Sequence, residues 1–268
     1  MQNTNPTQTY KPGRKMPIME IFGPTIQGEG MVIGRKTMFV RTGGCDYSCA
    51  WCDSAFTWNG EEKATMMTSM EVFEKLVALG TVFTNDGEGN ARAHTNFSHV
   101  TISGGNPALI GDAMAEFIDI CTDNRISVGL ETQGTRWQHW FLSVDDLTIS
   151  PKPPSSGMVT DFEKLDNIVN KLTEMADVSH ESYNFTLKVV VFDDADFAYA
   201  KQIHQRYPHV GFYVSVGNED AKTEEDISGR LINKLDWLWG KVLNDPAMNN
   251  VRPLPQLHTI VWANKRGV

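Results

Sequence analysis

Three cysteines stand close together in the stretch Cys45-Asp46-Tyr47-Ser48-Cys49-Ala50-Trp51-Cys52. The Cx3Cx2C spacing places three thiols on one tight loop, and thiolates are ligands that suit zinc and iron–sulfur clusters. A four-iron cluster held by three protein thiolates leaves one iron without a protein ligand, so a small molecule can bind there. The loop therefore predicts a metal centre with an open coordination position.

A closed zinc site is the alternative interpretation of these cysteines. Structural zinc sites usually take four ligands in two close pairs, and the chain has no second pair of cysteines. His94 and His99 could complete such a site, but neither has the spacing of a ligand pair. The remaining cysteine, Cys121, lies in an apolar run and is typical of a buried core cysteine. The spacing therefore favours a cluster over zinc, and a disulfide framework is less favoured than either.

Length and composition limit the class of protein. The 268 residues suffice for one large α/β domain or two small ones. With 41% hydrophobic and 21% charged residues, the composition is that of an ordinary globular protein. The formal charge of −9 disfavours a broad nucleic-acid-binding surface. No apolar run approaches the roughly 20 residues of a membrane span, and the unpaired cysteines suit a reducing cytoplasm.

Two segments differ from the rest of the chain. Residues 1–15 are polar and lack the apolar core of a secretory signal, so they predict a disordered N-terminal extension. Residues 16–268 then form a single domain. A polar, glycine-rich stretch at about residues 80–97 predicts a surface insertion in that domain.

Short apolar strands alternate with longer amphipathic stretches along the domain. The predicted strands are Ile18–Phe22, Thr37–Arg41, His99–Ser103, Ile126–Glu131, Leu147–Ser150, Phe185–Phe192 and Gly211–Val216. The predicted helices are one from the capping box Thr68–Glu71 to Gly80, then Ala108–Thr122, one from about Arg136, Asp161–Met175, Asp194–Arg206 and Glu224–Leu243. This alternation predicts an α/β fold, a partial (incomplete) TIM-type barrel of about six parallel strands with outer helices.

Ligands of such sheets bind at the carboxyl ends of the strands, so the residues that follow each strand are candidates for a site. Paired glycines in Ser103-Gly104-Gly105-Asn106-Pro107 allow the backbone to approach a ligand, although this is also a common turn. Glu131 ends one strand and is equally consistent with a helix-capping or salt-bridging acid. Lys152 follows another strand and is also consistent with a solvated lysine in a rigid surface turn. Arg41 could hold a carboxylate bidentately or form a structural ion pair.

The cysteine loop and the Gly104–Gly105 turn resemble those of radical S-adenosylmethionine (SAM) enzymes, although Asn106 stands where glutamate is usual. The chain from Ile18 onward closely resembles the 7-carboxy-7-deazaguanine synthase family. The segments that carry this resemblance are Glu20–Gly30, Arg41–Trp58, Ser103–Pro107, Glu131–Thr135, Ser150–Lys152 and Gln256–Val268.

The resemblance implies an enzyme of queuosine precursor biosynthesis. The family contracts the ring of 6-carboxy-5,6,7,8-tetrahydropterin to 7-carboxy-7-deazaguanine with loss of ammonia. Its cofactors are a [4Fe–4S] cluster, SAM and Mg²⁺. We therefore expect a small-molecule pterin substrate, a flavodoxin-like reductant and a homodimer, without a nucleic-acid or membrane partner.

The resemblance also implies roles for particular residues. The cluster ligands are Cys45, Cys49 and Cys52, and Ser54 is a magnesium ligand in place of the usual threonine. The SAM site comprises Trp51, Cys52, Asp53, Gly105, Glu131, Ser150, Pro151, Lys152, Ser215, Val216, Gly217 and Asn218, of which the last four depart from the usual family sequence. The substrate site comprises Ile26, Gln27, Gly28, Arg41, Ser103, His258 and Val268, whose terminal carboxylate receives hydrogen bonds from the pterin.

Two other functions remain open from the sequence. A glycyl-radical-type activating enzyme is one, although such enzymes often carry extra cluster cysteines and this chain has only Cys121 besides the loop. A non-enzymatic metal-cluster module is the other. The glycine turn and the acid-ended strand disfavour it, since a scaffold does not need open ligand loops.

Overall fold

The computed structural model describes residues 13–85, 90–179, 184–220, 223 and 225–268. Within these ranges, the strands are β1 (Lys15–Ile26), β2 (Lys36–Thr42), β3 (Thr65–Thr68), β4 (Thr81–Asn85), β5 (Ala91–Thr95), β6 (His99–Gly104), β7 (Ser127–Thr132), β8 (Asp146–Ile149), β9 (Phe185–Val191), β10 (Gly211–Val216) and β11 (Val251–Leu254). The α-helices are α1 (Ser69–Gly80), α2 (Asp112–Asp123), α3 (Phe162–Ser179), α4 (Asp194–Arg206), α5 (Ile227–Leu243) and α6 (Leu257–Trp262).

One mostly parallel sheet organises the described chain. Its strand order is β11-β10-β9-β8-β7-β6-β2-β1-β3, and β4 pairs with β5 in a separate hairpin. In this sheet order, every neighbouring pair from β11 across to β2 is parallel. The strand β1, by contrast, pairs antiparallel with both β2 and β3. The carboxyl ends of the parallel strands therefore meet at one edge of the sheet, where loops can build a shared site.

The two faces of the sheet have different partners. Along β9, Leu187, Val189 and Val191 belong to the apolar core, whereas Lys188 and Val190 line a cleft. Because successive side chains of a strand point to opposite faces, the same alternation recurs in β2, β6 and β7. Strands that are buried on both faces have nearly continuous apolar sequences. The sequence pattern therefore does not show which residues of these strands face the cleft.

The N-terminus of α1 illustrates how local sequence fixes an element. Thr68 accepts the backbone N–H of Glu71, and the Glu71 carboxylate accepts the backbone N–H of Thr68, so the predicted capping box is present. Val72 and Leu76, four residues apart, are fully buried, so one face of the helix packs on the core.

Most predicted elements are confirmed, and Val251–Leu254 adds a parallel strand to the six predicted. The predicted helix from about Arg136 is wrong: a short 3-10 helix at His139–Ser143 occupies this place, with the aromatic side chains Trp140 and Phe141 buried. β3, β11 and α6 are not predicted from the sequence because they are short, and β11 contains Pro253.

The outer segments differ in part from expectation. Lys15, assigned to the polar extension, begins β1, and Arg14 pairs with Asp112 at 3.1 Å. Residues 1–12 lie outside the described part of the chain. The predicted insertion contains the β4–β5 hairpin, whose described residues are largely exposed. Residues 86–89 of the insertion lie outside the described chain, and so does Glu224, the first residue of the last predicted helix. Among the described helices, none combines the length and apolarity needed to cross a bilayer.

Candidate active site

A cleft opens at the carboxyl edge of the parallel strands, with a volume of about 220 Å³. The loops after β1, β2, β6, β7, β8 and β10 all contribute side chains to it, and so does the C-terminal segment, defined here as Val251–Val268. The cleft therefore lies where ligands bind in open α/β sheets.

The cluster loop, Cys45–Cys52, is held against the sheet through Asp46. Its carboxylate accepts hydrogen bonds from Gln133 Nε2 at 2.6 Å and from Asn106 Nδ2 at 2.8 Å. Asn106 is fully buried and also accepts from Thr132 Oγ1 at 2.8 Å. An amide at this position donates to a carboxylate, which a glutamate cannot do when ionised. The departure from the usual glutamate thus has a structural role here.

The other face of the cluster loop packs on the segment that follows β8. Trp51 donates its indole N–H to Ser155 Oγ at 2.9 Å, and its ring lies 4.8 Å from that of Phe192. The backbone N–H of Ala50 donates to Ser156 O at 3.0 Å. The loop is therefore fixed on both sides by contacts within the protein.

The three cysteines are free, half-buried thiols that line the cleft. Burial raises the pKa of the Cys49 thiol to about 11, although the charge of Lys152 opposes this, and burial also raises the pKa of Cys52. Gln133 Nε2 lies 3.4 Å from Cys45 Sγ, and Trp58 Nε1 lies 3.5 Å from Cys52 Sγ. Such donors stabilise sulfur that carries negative charge, as metal-bound thiolates do.

The arrangement of possible ligands disfavours zinc. In the described chain, the one group of acid, histidine or cysteine side chains whose ligand atoms lie within 4.8 Å of one another is Glu29, Asp53 and His258. The three thiols are therefore too far apart to share a single ion. His99 lies at the start of β6, away from the cluster loop at the strand's carboxyl end, and is fully buried with Nδ1 2.8 Å from Thr37 Oγ1.

The Gly104–Gly105 turn packs so closely on neighbouring backbone that neither residue has room for a side chain. A Cβ at Gly105 would lie 1.9 Å from Gly44 O, and one at Gly104 would lie 2.3 Å from the backbone of Thr42. Gly104 also has a φ of +124°, which favours glycine. The turn can pack directly beneath the cluster loop for this reason.

Arg41 lies at the end of β2 with polar groups on both sides. Its Nη1 donates to Ser54 Oγ, and Ser54 donates in turn to Asp53 Oδ1 at 2.9 Å. Its Nε lies 3.1 Å from Glu20 Oε2, but the N–H is not aligned for a hydrogen bond. The guanidinium also lies 5.8 Å from the ring centre of Phe22. Arg41 thus faces the cleft with one side only loosely paired.

The C-terminal segment closes the cleft against the first loop. Leu257 donates its backbone N–H to Gly28 O at 3.0 Å. A Cβ at Gly28 would lie 2.1 Å from His258 Nδ1, so only glycine permits this approach. Asn218 N–H donates to Gln256 Oε1 at 3.0 Å, which joins the loop after β10 to the same segment.

A buried lysine lies between two glutamates at the base of the cleft. Lys188 is 2% exposed, and its Nζ donates to Glu29 at 2.7 Å and to both oxygens of Glu131 at 3.0 and 3.1 Å. Burial raises the pKa of Glu29, but the charges of Lys188 and His258 and the hydrogen bonds from Lys188 and Gln256 outweigh it and lower the pKa to about 2. The two carboxylates likewise raise the pKa of Lys188, against the effect of burial. Glu29 and Lys188 are therefore both charged at neutral pH.

The cleft brings together nearly all of the predicted site residues. Pro151 and Ser215 are the two that do not line it; both are buried, and Ser215 Oγ has no hydrogen-bond partner. The functional roles of the others remain predictions. The sequence patterns did not assign to the site the cleft residues Phe22, Glu29, Phe39, Tyr47, Trp58, Thr132, Gln133, Lys188, Val190, Phe192 and Gln256. Lys188 could have been identified from the sequence, because a charged residue inside the most apolar predicted strand indicates a buried polar contact.

The fold and this cleft define an α/β protein with a three-thiol loop at the carboxyl edge of a parallel sheet. No protein-family model matches the chain. The 7-carboxy-7-deazaguanine synthase of Bacillus cereus is 53% identical to it over 259 residues, which cover 95% of this chain and 99% of that protein. The Bacillus subtilis protein of the same name is 54% identical over 257 residues, which cover 94% and 98%. The chain therefore belongs to the 7-carboxy-7-deazaguanine synthase family.

Its fold has a counterpart among solved structures. The crystal structure of QueE from Escherichia coli aligns with a TM-score of 0.55 and 20% identity, covering 91% of this chain and 95% of that one. At this identity the similarity concerns the fold, and it agrees with the mostly parallel sheet described above.

Proposed function

We propose that this chain catalyses the reaction of its family, the ring contraction of 6-carboxy-5,6,7,8-tetrahydropterin to 7-carboxy-7-deazaguanine with loss of ammonia. The observation that carries the proposal is that the three-thiol loop and a set of charged side chains line the same cleft. An activating enzyme needs a surface for a protein partner, and a binding module does not need a charged cleft beside its cluster.

The thiol end of the cleft fits a [4Fe–4S] cluster and SAM. Cys45, Cys49 and Cys52 would ligate three irons, and the bare backbone at Gly105 would face the methionine part of SAM. Lys152, whose Nζ lies 3.3 Å from Ser150 Oγ, would pair with the SAM carboxylate. When bound and reduced, the cluster and SAM supply a 5′-deoxyadenosyl radical, and the protein's part is to hold one substrate C–H bond beside it.

The other end of the cleft fits the pterin. Arg41 presents a planar guanidinium whose loosely paired side can hold the substrate carboxylate. Ser103 Oγ is buried without a hydrogen-bond partner, so a ligand group can satisfy it. Ile26, Gln27 and Gly28 line this end together with His258 and Val268 of the C-terminal segment, which packs directly on Gly28.

We assign magnesium to the neighbouring oxygens of Ser54 and Asp53. Their hydroxyl and carboxylate are hard donors of the kind that Mg²⁺ binds. Glu29 belongs with Asp53 and His258 to the group of possible ligands described above, but its carboxylate is already paired with Lys188, so it is a weaker candidate for a magnesium ligand. Magnesium binding at Ser54 would require Arg41 to leave the Ser54 oxygen and turn toward the substrate carboxylate.

Further parts of the proposal rest on family resemblance. They are the partial-barrel curvature of the sheet, the homodimer, the flavodoxin-like reductant and the cytoplasmic location.

The proposal is tested with anaerobically reconstituted protein, SAM, dithionite, magnesium and the carboxy-tetrahydropterin. We expect a brown protein, formation of 7-carboxy-7-deazaguanine by mass analysis and dependence of product on the pterin. 5′-Deoxyadenosine formation without pterin turnover would indicate another radical reaction, and a colourless protein with one zinc would indicate a binding module.

A further inference from the structure

Lys188 is the one fully buried lysine in the described chain, and the roles assigned above do not use it. It lies on β9, two strands away from β7 in the sheet order, and its side chain points from the apolar strand into the cleft. A buried ammonium is retained in a core only where partners offset its desolvation. The burial of the Lys188 ammonium therefore requires a structural or functional explanation.

Its donors are fully used by two acids. An ammonium has three N–H groups, and those of Lys188 reach Glu29 Oε2 at 2.7 Å, Glu131 Oε1 at 3.0 Å and Glu131 Oε2 at 3.1 Å. No donor is left for a ligand. Any effect of Lys188 on the reaction must act through the two glutamates, both of which line the cleft.

The two glutamates come from distant parts of the chain. Glu29 follows β1 and also accepts from Gln256 of the C-terminal segment at 3.0 Å, whereas Glu131 lies on β7. Gly30 approaches Glu131 so closely that a Cβ would lie 2.6 Å from Oε1. Lys188 thus joins the first loop, the sheet and, through Glu29, the segment that closes the cleft.

We propose that Lys188 is a positioning residue that fixes Glu29 and Glu131 in one arrangement, so that their remaining lone pairs accept the N–H donors of an aminopyrimidinone ring. This inference rests on the proposed function and deepens it. The cluster places two carboxyl groups around one ammonium, so acceptor oxygens exceed donors, which suits a ring edge rich in N–H donors and disfavours a second anion. The substrate's own carboxylate then binds at the other side, toward Arg41.

The test compares Lys188→Met, which keeps side-chain length without charge, with Lys188→Arg and wild type. The matched control is Lys201→Met, which removes a lysine–aspartate pair (Lys201 to Asp245, 2.7 Å) outside the cleft. Steady-state kinetics are measured against pterin at saturating SAM and against SAM at saturating pterin, together with the melting temperature.

We expect Lys188→Met to raise the KM for the pterin roughly 10- to 100-fold, the range for losing charged hydrogen bonds. The KM for the pterin should rise more than the KM for SAM, and Lys188→Arg should recover part of the pterin KM. Lys201→Met should leave both quantities unchanged. If Lys188→Met does not fold, Lys188→Arg carries the test: a raised KM at an unchanged melting temperature supports the role, and an unchanged KM overturns it.

A double variant separates positioning from simple charge balance. Lys188→Met with Glu131→Gln has the wild-type net charge but lacks the fixed arrangement. We expect its KM to stay raised, and recovery of the wild-type KM would overturn the proposal. Failure of the wild-type chain to form product overturns the proposed function itself, whereas an active wild type with an unaffected Lys188→Met variant overturns only the positioning role.

Discussion

Replacing Arg41 with alanine should weaken pterin binding far more than it affects folding or SAM binding. The side chain is 20% exposed and faces the cleft at the end of β2. Truncating one partner of a buried charge pair costs about 2–5 kcal/mol, which is roughly a 30-fold to several thousandfold loss of affinity. We place that loss in the substrate carboxylate contact.

The fold should tolerate the change because Glu20 keeps another cation. Arg266 Nε also donates to the Glu20 carboxylate, so removal of Arg41 does not leave a buried unpaired acid. The remaining costs are the hydrogen bond to Ser54 Oγ and the packing of the guanidinium near Phe22 and Phe56, each 5.8 Å from it. At these distances the loss of cation–π attraction is about 1 kcal/mol in total.

Two assays distinguish this prediction from a structural ion pair. Pterin binding to the reconstituted, non-reduced enzyme is measured by calorimetry, and the free energy of unfolding is measured by urea titration. Arg252→Ala is the control, because Arg252 also contacts an aromatic ring, Tyr213, at 5.6 Å, but does not line the cleft. Normal pterin affinity together with a large loss of stability in Arg41→Ala would refute the reasoning.

Three further changes give distinct outcomes. Cys49→Ala should abolish reductive SAM cleavage while the melting temperature changes little, because the cysteine lies on a loop outside the sheet; 5′-deoxyadenosine formation by this variant would contradict the cluster assignment. Ser54→Ala should lower turnover and reduce stimulation by added magnesium with little change in SAM binding, and an unchanged magnesium titration would argue against the ligand role. Arg266→Ala, which removes contacts to Glu20, Glu62 and Phe56, should loosen the C-terminal segment and raise the KM for pterin several-fold, as judged against Lys265→Ala by kinetics and limited proteolysis.

The strands and the cluster loop were predictable because their signals are local. Period-2 and period-3.6 patterns report which face of an element is buried, and the spacing of Cys45, Cys49 and Cys52 is set within one loop. The helix predicted from Arg136 failed because its aromatic residues are buried by the surrounding core rather than by a helical stripe. Tertiary packing overrides weak local propensity there.

The cleft was less predictable where its contacts are distant in sequence. Lys188 lies in a run of apolar residues, and nothing local shows that Glu29 and Glu131 meet it. Likewise, the role of Asn106 depends on Asp46 of the cluster loop and on Thr132 at the end of β7. Such pairings follow from strand order, and strand order is not contained in local patterns.

The hydrogen bond between Leu257 and Gly28 joins two ends of the folded domain and has a consequence for the order of assembly. Contacts separated by nearly the whole chain carry a large loop-closure cost and form late in folding. The crossovers from β6 to β10, by contrast, close between successive strands. We therefore expect the C-terminal segment to close over the cleft late in folding, after the parallel strands and the cysteine loop between β2 and β6 are in place.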